Sequence, residues 1–362
     1  MQFPKLLILF LFFLSCQQKQ IKNKTTSKLK YAKHFTIIKH KEFTEVQIIN
    51  PENFEIEKKY AFSKNLESIP KNKYITIQIP IKSIVCLSGT DIGMLSKLSS
   101  ENIITGITNV NYIYNKTVIS NFKKNKIKSF QDITRINPEK ANSCAKIITY
   151  SGFGSKIQME NKLNLLGIQC LPVYDWRENH PLGKAEWIKL YGILVDKENQ
   201  ANLYFKKIEK EFLALIQDVK KINNFPSILS GSMIGDVWYI PAAQSFNAQL
   251  IHFAKGNFVG KNYKGTGSSK HTFEEIYKKF KQAKIWVNPM FDTRQKLLQA
   301  NSKYKFFDSY SKNNIFCYSH KMNYFWENSA IEPQKVLSDL IQIFHKGLIK
   351  EKKLYFYKKI TS

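Results

Sequence analysis

Apolar and polar positions change rhythm repeatedly along this chain of 362 residues, and each change marks a different kind of segment. An unbroken apolar run over 6–14 gives way to a polar, lysine-rich stretch over 17–30 that has no periodicity. Over 31–79 short alternating runs, such as Phe35-Thr36-Ile37-Ile38 and Val46-Gln47-Ile48-Ile49, predict strands joined by a turn near Asn50-Pro51. The pattern then becomes continuous apolar strands separated by helical periodicity. Strands are predicted over 82–88, 103–108, 147–150 and 170–174, with helices over 91–98 and 156–166. Such alternation implies a mainly parallel sheet. From 184 to about 222 strand signals vanish. After a break near Gly192, Ala201, Tyr204, Phe205, Ile208, Phe212, Leu215 and Val219 form an amphipathic stripe. A single helix over 197–222 would be roughly 39 Å long at 1.5 Å per residue. A coiled coil is the alternative, but heptads are not sustained. Past Pro226 the alternation resumes, with strands over 227–233, 237–240, 284–288 and 315–319 and helices over 246–254 and 333–348.

These rhythms divide the chain into 1–15, a tether over 16–30, an N-terminal β extension over 31–79, an α/β lobe over 80–183, a connecting helix over 184–225 and a second α/β lobe over 226–357. The expected fold class is α/β, two lobes joined by one long rigid helix. Two such lobes leave a cleft, and open parallel sheets bind ligands beyond the carboxyl ends of their strands. The loops so nominated contain Ser88-Gly89-Thr90-Asp91, Tyr150-Ser151-Gly152 and Asp175-Trp176-Arg177-Glu178 in the first lobe. In the second they contain Gly235-Asp236-Val237-Trp238-Tyr239, Asn288-Pro289 and Asn323-Tyr324-Phe325-Trp326. Tyr150, Trp176, Glu178, Trp238, Tyr239 and Trp326 are the candidate ligand contacts, because aromatic rings give contact area at low entropic cost. Core packing is the competing reading for any one of them, and Trp187 and Trp286 are expected in the core.

The amino terminus carries chemistry of its own. Lys5, the apolar run and Phe13-Leu14-Ser15-Cys16 have the order of a bacterial lipoprotein signal, with cleavage before Cys16. A diacylglycerol thioether on Cys16 and an acyl chain on its freed amine would supply the paired anchors that stable membrane attachment needs. An ordinary secretory signal is the alternative, and either one exports the mature chain. The formal charge of +28 resembles a nucleic-acid signature, yet only Arg135, Arg177 and Arg294 among the 56 basic residues are arginines. Phosphate and base recognition favours clustered arginine forks. The lysines are spread along the chain beside abundant Asn, Ile, Phe and Tyr, which points to codon bias rather than a nucleic-acid patch.

Catalytic and metal motifs are missing from the sequence. The histidines show no metal-ligand spacing, and Cys86, Cys144, Cys170 and Cys317 include no Cys-x-x-Cys pair. There is no Gly-x-Ser-x-Gly elbow or phosphate-binding glycine loop, and Gly265-Thr266-Gly267-Ser268-Ser269 reads as a flexible linker. Two helix starts draw attention instead. Asn137-Pro138-Glu139 reads as cap, first and second position, and Thr272-Phe273-Glu274-Glu275 repeats the layout with Glu275 as the return arm of a capping box. Glu139 and Glu274 are then acidic residues near helix N-termini, which the dipole favours by about 0.3–1 kcal/mol.

Three blocks resemble one family. Pro80-Ile81-Lys82-Ser83-Ile84-Val85-Cys86-Leu87-Ser88, the run from Asp175-Trp176-Arg177-Glu178 through Pro181-Leu182-Gly183-Lys184-Ala185-Glu186-Trp187-Ile188-Lys189, and Trp238-Tyr239-Ile240-Pro241-Ala242 are similar to the substrate-binding lipoproteins of ABC importers for ferric siderophores, haem and cobalamin, in their Bacteroidetes-type branch. The resemblance covers nearly all of 31–357. It implies the class III periplasmic binding protein fold: two Rossmann-like lobes, a rigid connecting helix, capture of a metal chelate or tetrapyrrole between the lobes, no resident cofactor and no catalysis. It also implies delivery by a lipid-anchored monomer in the periplasm or envelope to an inner-membrane permease with its ATPase subunits. Glu139 and Glu274 match the family's two permease-docking glutamates, with Glu275 as an alternative to Glu274. An envelope hydrolase on the same scaffold and a surface adhesion lipoprotein are the rival readings.

Overall fold

A computed structural model of the chain describes residues 25–27, 29–130, 135–151, 160–318, 324–350 and 353–361. The signal run and Cys16 lie outside the described residues. The alternating segment, joined by Thr25–Ser27 from within the expected tether, folds into a five-stranded sheet with Phe35–Lys39, Thr44–Ile49, Ile56–Ser63 and Ile75–Gln78. Its pairs are antiparallel except the last, which is parallel. Phe35, Ile37, Val46, Ile48, Tyr60 and Phe62 point inward at two-residue intervals and bury that face. The turn near Asn50-Pro51 is present, closed by the Phe54 amide bonding the Asn50 carbonyl at 2.9 Å.

The first lobe is built on a five-stranded, all-parallel sheet. In spatial order its strands are Gln169–Pro172, Ile147–Tyr150, Ile84–Cys86, Ile104–Ile107 and Lys128–Ser129. The second lobe repeats the plan with Asn257–Phe258, Ser227–Ser230, Ile285–Val287, Ile315–Tyr318 and an antiparallel final strand, Tyr357–Lys359. In each lobe the first strand in sequence lies inside the sheet and later strands add on both sides of it. That reversal opens a crevice at the carboxyl end of the first strand.

The long helix spans Glu198–Val219, 22 residues against the 26 expected, so it is about 33 Å long. A turn at Ile222, whose amide bonds the Val219 carbonyl, closes the shortened end. The predicted break near Gly192 falls between the helix Ile188–Leu194 and this one, with Asp196 at φ 57°. Ala201, Phe205, Ile208, Phe212 and Val219 form the buried stripe. It packs on Ile188–Leu194 on one side and on the second lobe's Pro333–Phe344 on the other. The closing helix also stops earlier than its periodicity predicts, at His345, followed by Gly347 at φ 81°. The expected linker at Gly265–Ser269 is corrected. Ser268–His271 is a strand that pairs with Val237–Pro241, and the latter pairs with Met233–Ile234 in a three-stranded antiparallel sheet. Serine, lysine and histidine give no apolar alternation, so the pairing came from the partner strand.

The lobes touch directly. The helix Gly89–Lys97 of the first lobe packs on Phe325–Asn328 of the second. A side chain at Gly93 would place its Cβ 1.8 Å from the Glu327 carbonyl oxygen, so only glycine allows this approach. The buried Glu327 carboxylate accepts the amides of Tyr114 at 2.6 Å and Asn115 at 3.1 Å, across the lobe boundary. Lys97 and Glu332 add an ion pair at 3.1 Å.

Candidate functional site

The crevice is positioned by the two parallel sheets. On the first lobe, Ile84–Cys86 runs into Ser88, whose hydroxyl caps the next helix by accepting the Thr90 amide at 3.2 Å. Beneath that helix start lies Asp91, fully buried, accepting the Tyr191 hydroxyl at 2.6 Å and the Thr149 hydroxyl at 2.8 Å. Burial outweighs those bonds and pushes its carboxyl up to about 7. Asp175, at the carboxyl end of Gln169–Pro172, is also buried, and burial raises its pKa against the pull of Lys184 at 3.8 Å. The Lys184 ammonium sits 5.1 Å from the ring of Phe246 in the second lobe. That contact and the approach of the Trp326 carbonyl to Gly89 join residues of opposite lobes at the crevice.

Two hollows of about 660 and 630 Å³ lie elsewhere. One is lined by residues including 222–224, Pro226, Lys284, Ile285 and Asn314, the other by residues including 76–83, Lys146, Ile147 and Gln169. Both adjoin the amino ends of the parallel strands, opposite to where this architecture places its ligands.

The six candidate contacts separate by burial. Trp176 is half-buried and donates its indole N–H to the Ser151 carbonyl at 2.5 Å, with the Arg177 guanidinium 5.1 Å over its ring. Trp326 is 43% exposed, edge-on to Tyr318 and Phe325. Tyr239 is half-buried and pairs with Lys270 across the small sheet. The other three are buried. Trp238 has no exposed surface: it packs among Trp286, Tyr304 and Phe307 and donates to the Ser230 carbonyl at 3.0 Å. Tyr150 is 6% exposed, within the core of the first lobe, where burial raises its hydroxyl pKa. Glu178 is 3% exposed and its carboxylate is committed to the chain itself, accepting the amides of Lys33 at 2.9 Å and His34 at 3.1 Å and the Trp187 indole at 3.0 Å.

Glu186, which the sequence reading did not single out, has the same duty. Fully buried, it accepts the amides of Lys30 at 3.1 Å, Tyr31 at 2.8 Å and Ala32 at 2.9 Å. The block from Asp175 to Lys189 is thus largely a receptor for the start of the extension. The sequence signal was weak: Glu178 and Glu186 stand eight apart among Asn179, His180 and Lys184, and it is their burial that makes them need partners. Besides the Trp187 indole on Glu178 and the Lys189 ammonium on Glu186 at 2.7 Å, their partners are backbone amides, which no side-chain pattern reveals.

The two helix-start glutamates behave differently. Asn137 caps Pro138–Asn142 by accepting the Lys140 amide at 2.8 Å, and Glu139 projects with 75% of its side chain exposed, 3.7 Å from Lys162. Thr272 and Glu275 form the expected capping box, each reaching the other's backbone amide at 3.2 Å. Glu274 is left outside it, 73% exposed and 3.6 Å from Lys303. Glu275 also bonds His271 Nδ1 at 3.1 Å, and these contacts lower its carboxyl pKa. His271 Nε2 is bonded to the Ser269 hydroxyl. This serine–histidine–glutamate chain has the order of a hydrolytic relay, but its carboxylate also caps a helix. Among the described residues no cluster of His, Cys, Asp or Glu suits a metal, Cys86, Cys144, Cys170 and Cys317 are free thiols, and no helix is long and apolar enough to cross a membrane.

No protein-family model matches the chain. An uncharacterized lipoprotein of Methanocaldococcus jannaschii is 25% identical over 370 residues, covering 92% of this chain and 86% of its own length. Among solved structures, a possible iron-binding periplasmic solute-binding protein of Staphylococcus epidermidis superposes with a TM-score of 0.56 at 16% identity, covering 73% of this chain and 99% of its own. A periplasmic haem-binding protein of Pseudomonas aeruginosa gives 0.60 at 11% identity, covering 78% and 98%. A structure from Saccharomonospora viridis described as an ABC-type Fe3+-hydroxamate transport system gives 0.54 at 15%, covering 73% and 93%. These structures are matched nearly end to end while a substantial part of this chain lies outside the match, and the archaeal lipoprotein extends into that remainder.

Proposed function

We propose that this chain, which has the class III periplasmic binding protein fold, is the substrate-binding component of an ABC importer and captures an iron–siderophore, haem or cobalamin-type ligand between its lobes. The observation that carries the reading is the strand-order reversal in both sheets together with the meeting of the lobes there, Lys184 against Phe246 and Gly89 against Trp326. Trp176 and Trp326 supply flat apolar contact, Tyr239 is a further candidate, and Lys184 supplies a cation. The role is binding, not turnover.

Glu139 and Glu274 dock the loaded protein on the permease, one from each lobe. Their exposure, and caps that are complete without them, support that role. The lipoprotein relative and the sequence around Cys16 support attachment to the membrane by lipid, with the lobes in the envelope space. Because the lobes are locked by Gly93 against Glu327 and by the long helix, capture proceeds through loop movement rather than wide hinge opening. Titration of the purified protein with ferric citrate, ferric siderophores, haemin and cyanocobalamin, followed by tryptophan fluorescence, tests the reading. Saturable quenching by one of them is expected, and silence towards the whole panel would overturn it.

A further inference from the structure

Arg177 stands out in a chain whose basic residues are almost all lysine. Its guanidinium lies 5.1 Å over the Trp176 ring, at the carboxyl end of the first lobe's edge strand, and pairs with Glu52 at 2.7 Å. Glu52 does not belong to either lobe. It sits in the hairpin turn between Thr44–Ile49 and Ile56–Ser63 of the N-terminal sheet. The same turn presents Phe54, 64% exposed at φ 59°, with its ring 5.7 Å from that of the buried His34. Glu57, on the adjoining strand, accepts the Tyr174 hydroxyl at 2.7 Å, so the hairpin is fastened to the loop after Gln169–Pro172 at more than one point.

We infer that this hairpin is a third wall of the ligand crevice, and that Glu52 holds the Arg177 fork until the anionic group of a ligand displaces it. The inference rests on the binding reading above and adds a ligand class to it: a chelate or tetrapyrrole bearing free carboxylates. The exchange is favourable for a physical reason. Glu52 has 74% of its side chain exposed, so its pair with Arg177 is screened and weak. Arg177 is only 24% exposed and stacked on an indole, so its fork is pre-oriented for two parallel bonds to an incoming carboxylate. Phe54 then offers its ring to the apolar body of the same ligand.

The test uses the whole mature protein, titrated with ferric citrate, haemin and cyanocobalamin, the last lacking a free carboxylate. Glu52→Gln removes the internal competitor and is expected to tighten an anionic probe about threefold to tenfold while leaving cyanocobalamin unchanged. Arg177→Gln is expected to weaken the anionic probe about 30-fold, Arg177→Lys to restore little of that, and Glu52→Gln to have no further effect in the Arg177→Gln background. Phe54→Gly, which also relieves the positive φ, is expected to weaken binding several-fold. Unchanged melting temperatures distinguish these effects from misfolding. If the wild type binds an anionic probe and neither Glu52→Gln nor Arg177→Gln alters its affinity, the third wall is refuted and the binding reading survives. Binding of cyanocobalamin alone refutes the ligand class. Silence of the wild type towards these three probes and towards the ferric siderophores overturns both.

Discussion

Four glutamates in this chain are treated by the fold as two opposite pairs. Glu178 and Glu186 are 3% and 0% exposed and spend their oxygens on five backbone amides of residues 30–34. Glu139 and Glu274 sit at helix starts capped by other residues, with about three quarters of their side chains in solvent. The first pair are structural acceptors, since a buried carboxylate persists only where donors surround it. The second pair cost almost nothing to hold and are free to meet a partner. Acidic residues within one recognisable motif set therefore carry unlike duties, and burial sorts them.

The largest effect expected from breaking this contrast is at Glu186. Glu186→Ala would orphan the amides of Lys30, Tyr31 and Ala32 and is expected to cost about 3–5 kcal/mol, read from urea unfolding. A loss below 1 kcal/mol would mean the extension is not held there.

Glu178 gives an intermediate effect with a pH signature. Burial pushes its carboxyl from 4.5 up to about 7 in the folded chain. Between those values the folded state holds more protons than the unfolded one, so this group's contribution to stability falls as pH rises from about 4.5 to about 7. Asp91, also raised to about 7, acts in the same direction. Glu178→Gln should flatten the profile of unfolding free energy against pH over that window by an amount on the order of 1–3 kcal/mol, read from urea unfolding. An unaltered slope would assign the pH dependence to other groups.

The smallest effect on stability is expected at the exposed pair. Glu139→Lys with Glu274→Lys should change unfolding free energy by less than about 0.5 kcal/mol and leave ligand affinity intact. Uptake by cells carrying the variant should nevertheless be abolished. Loss of ligand affinity would instead place these residues in the crevice. Ser269→Ala sharpens the remaining alternative: binding should persist, and ester turnover by the wild type that disappears in the variant would favour an enzyme.

Much of the fold was legible because parallel strands buried on both faces read as apolar runs. Ile147–Tyr150 coincides with its predicted span, and Ile285–Val287 and Ile104–Ile107 fall within theirs. The Thr272–Glu275 capping box was readable for a similar reason, being a local arrangement of four residues. The strand Ser268–His271 was not, because its side chains carry no apolar alternation and its register is fixed by Val237–Pro241, about thirty residues earlier. The aromatics show the limit most directly. Trp238 and Trp326 look equivalent on paper, yet one fills the core among Trp286, Tyr304 and Phe307 while the other lies at the lobe boundary.

By itself the sequence determined most of the parallel strands, the length scale of the connecting helix and the capping chemistry, since periodicity and caps act over a few residues. The tertiary structure alone decided which glutamates are acceptors for a distant segment, which tryptophans face solvent, and that the hairpin carrying Glu52 reaches Arg177. Those outcomes depend on contacts between residues tens to hundreds of positions apart, and no local pattern encodes the burial and electrostatics that such contacts create.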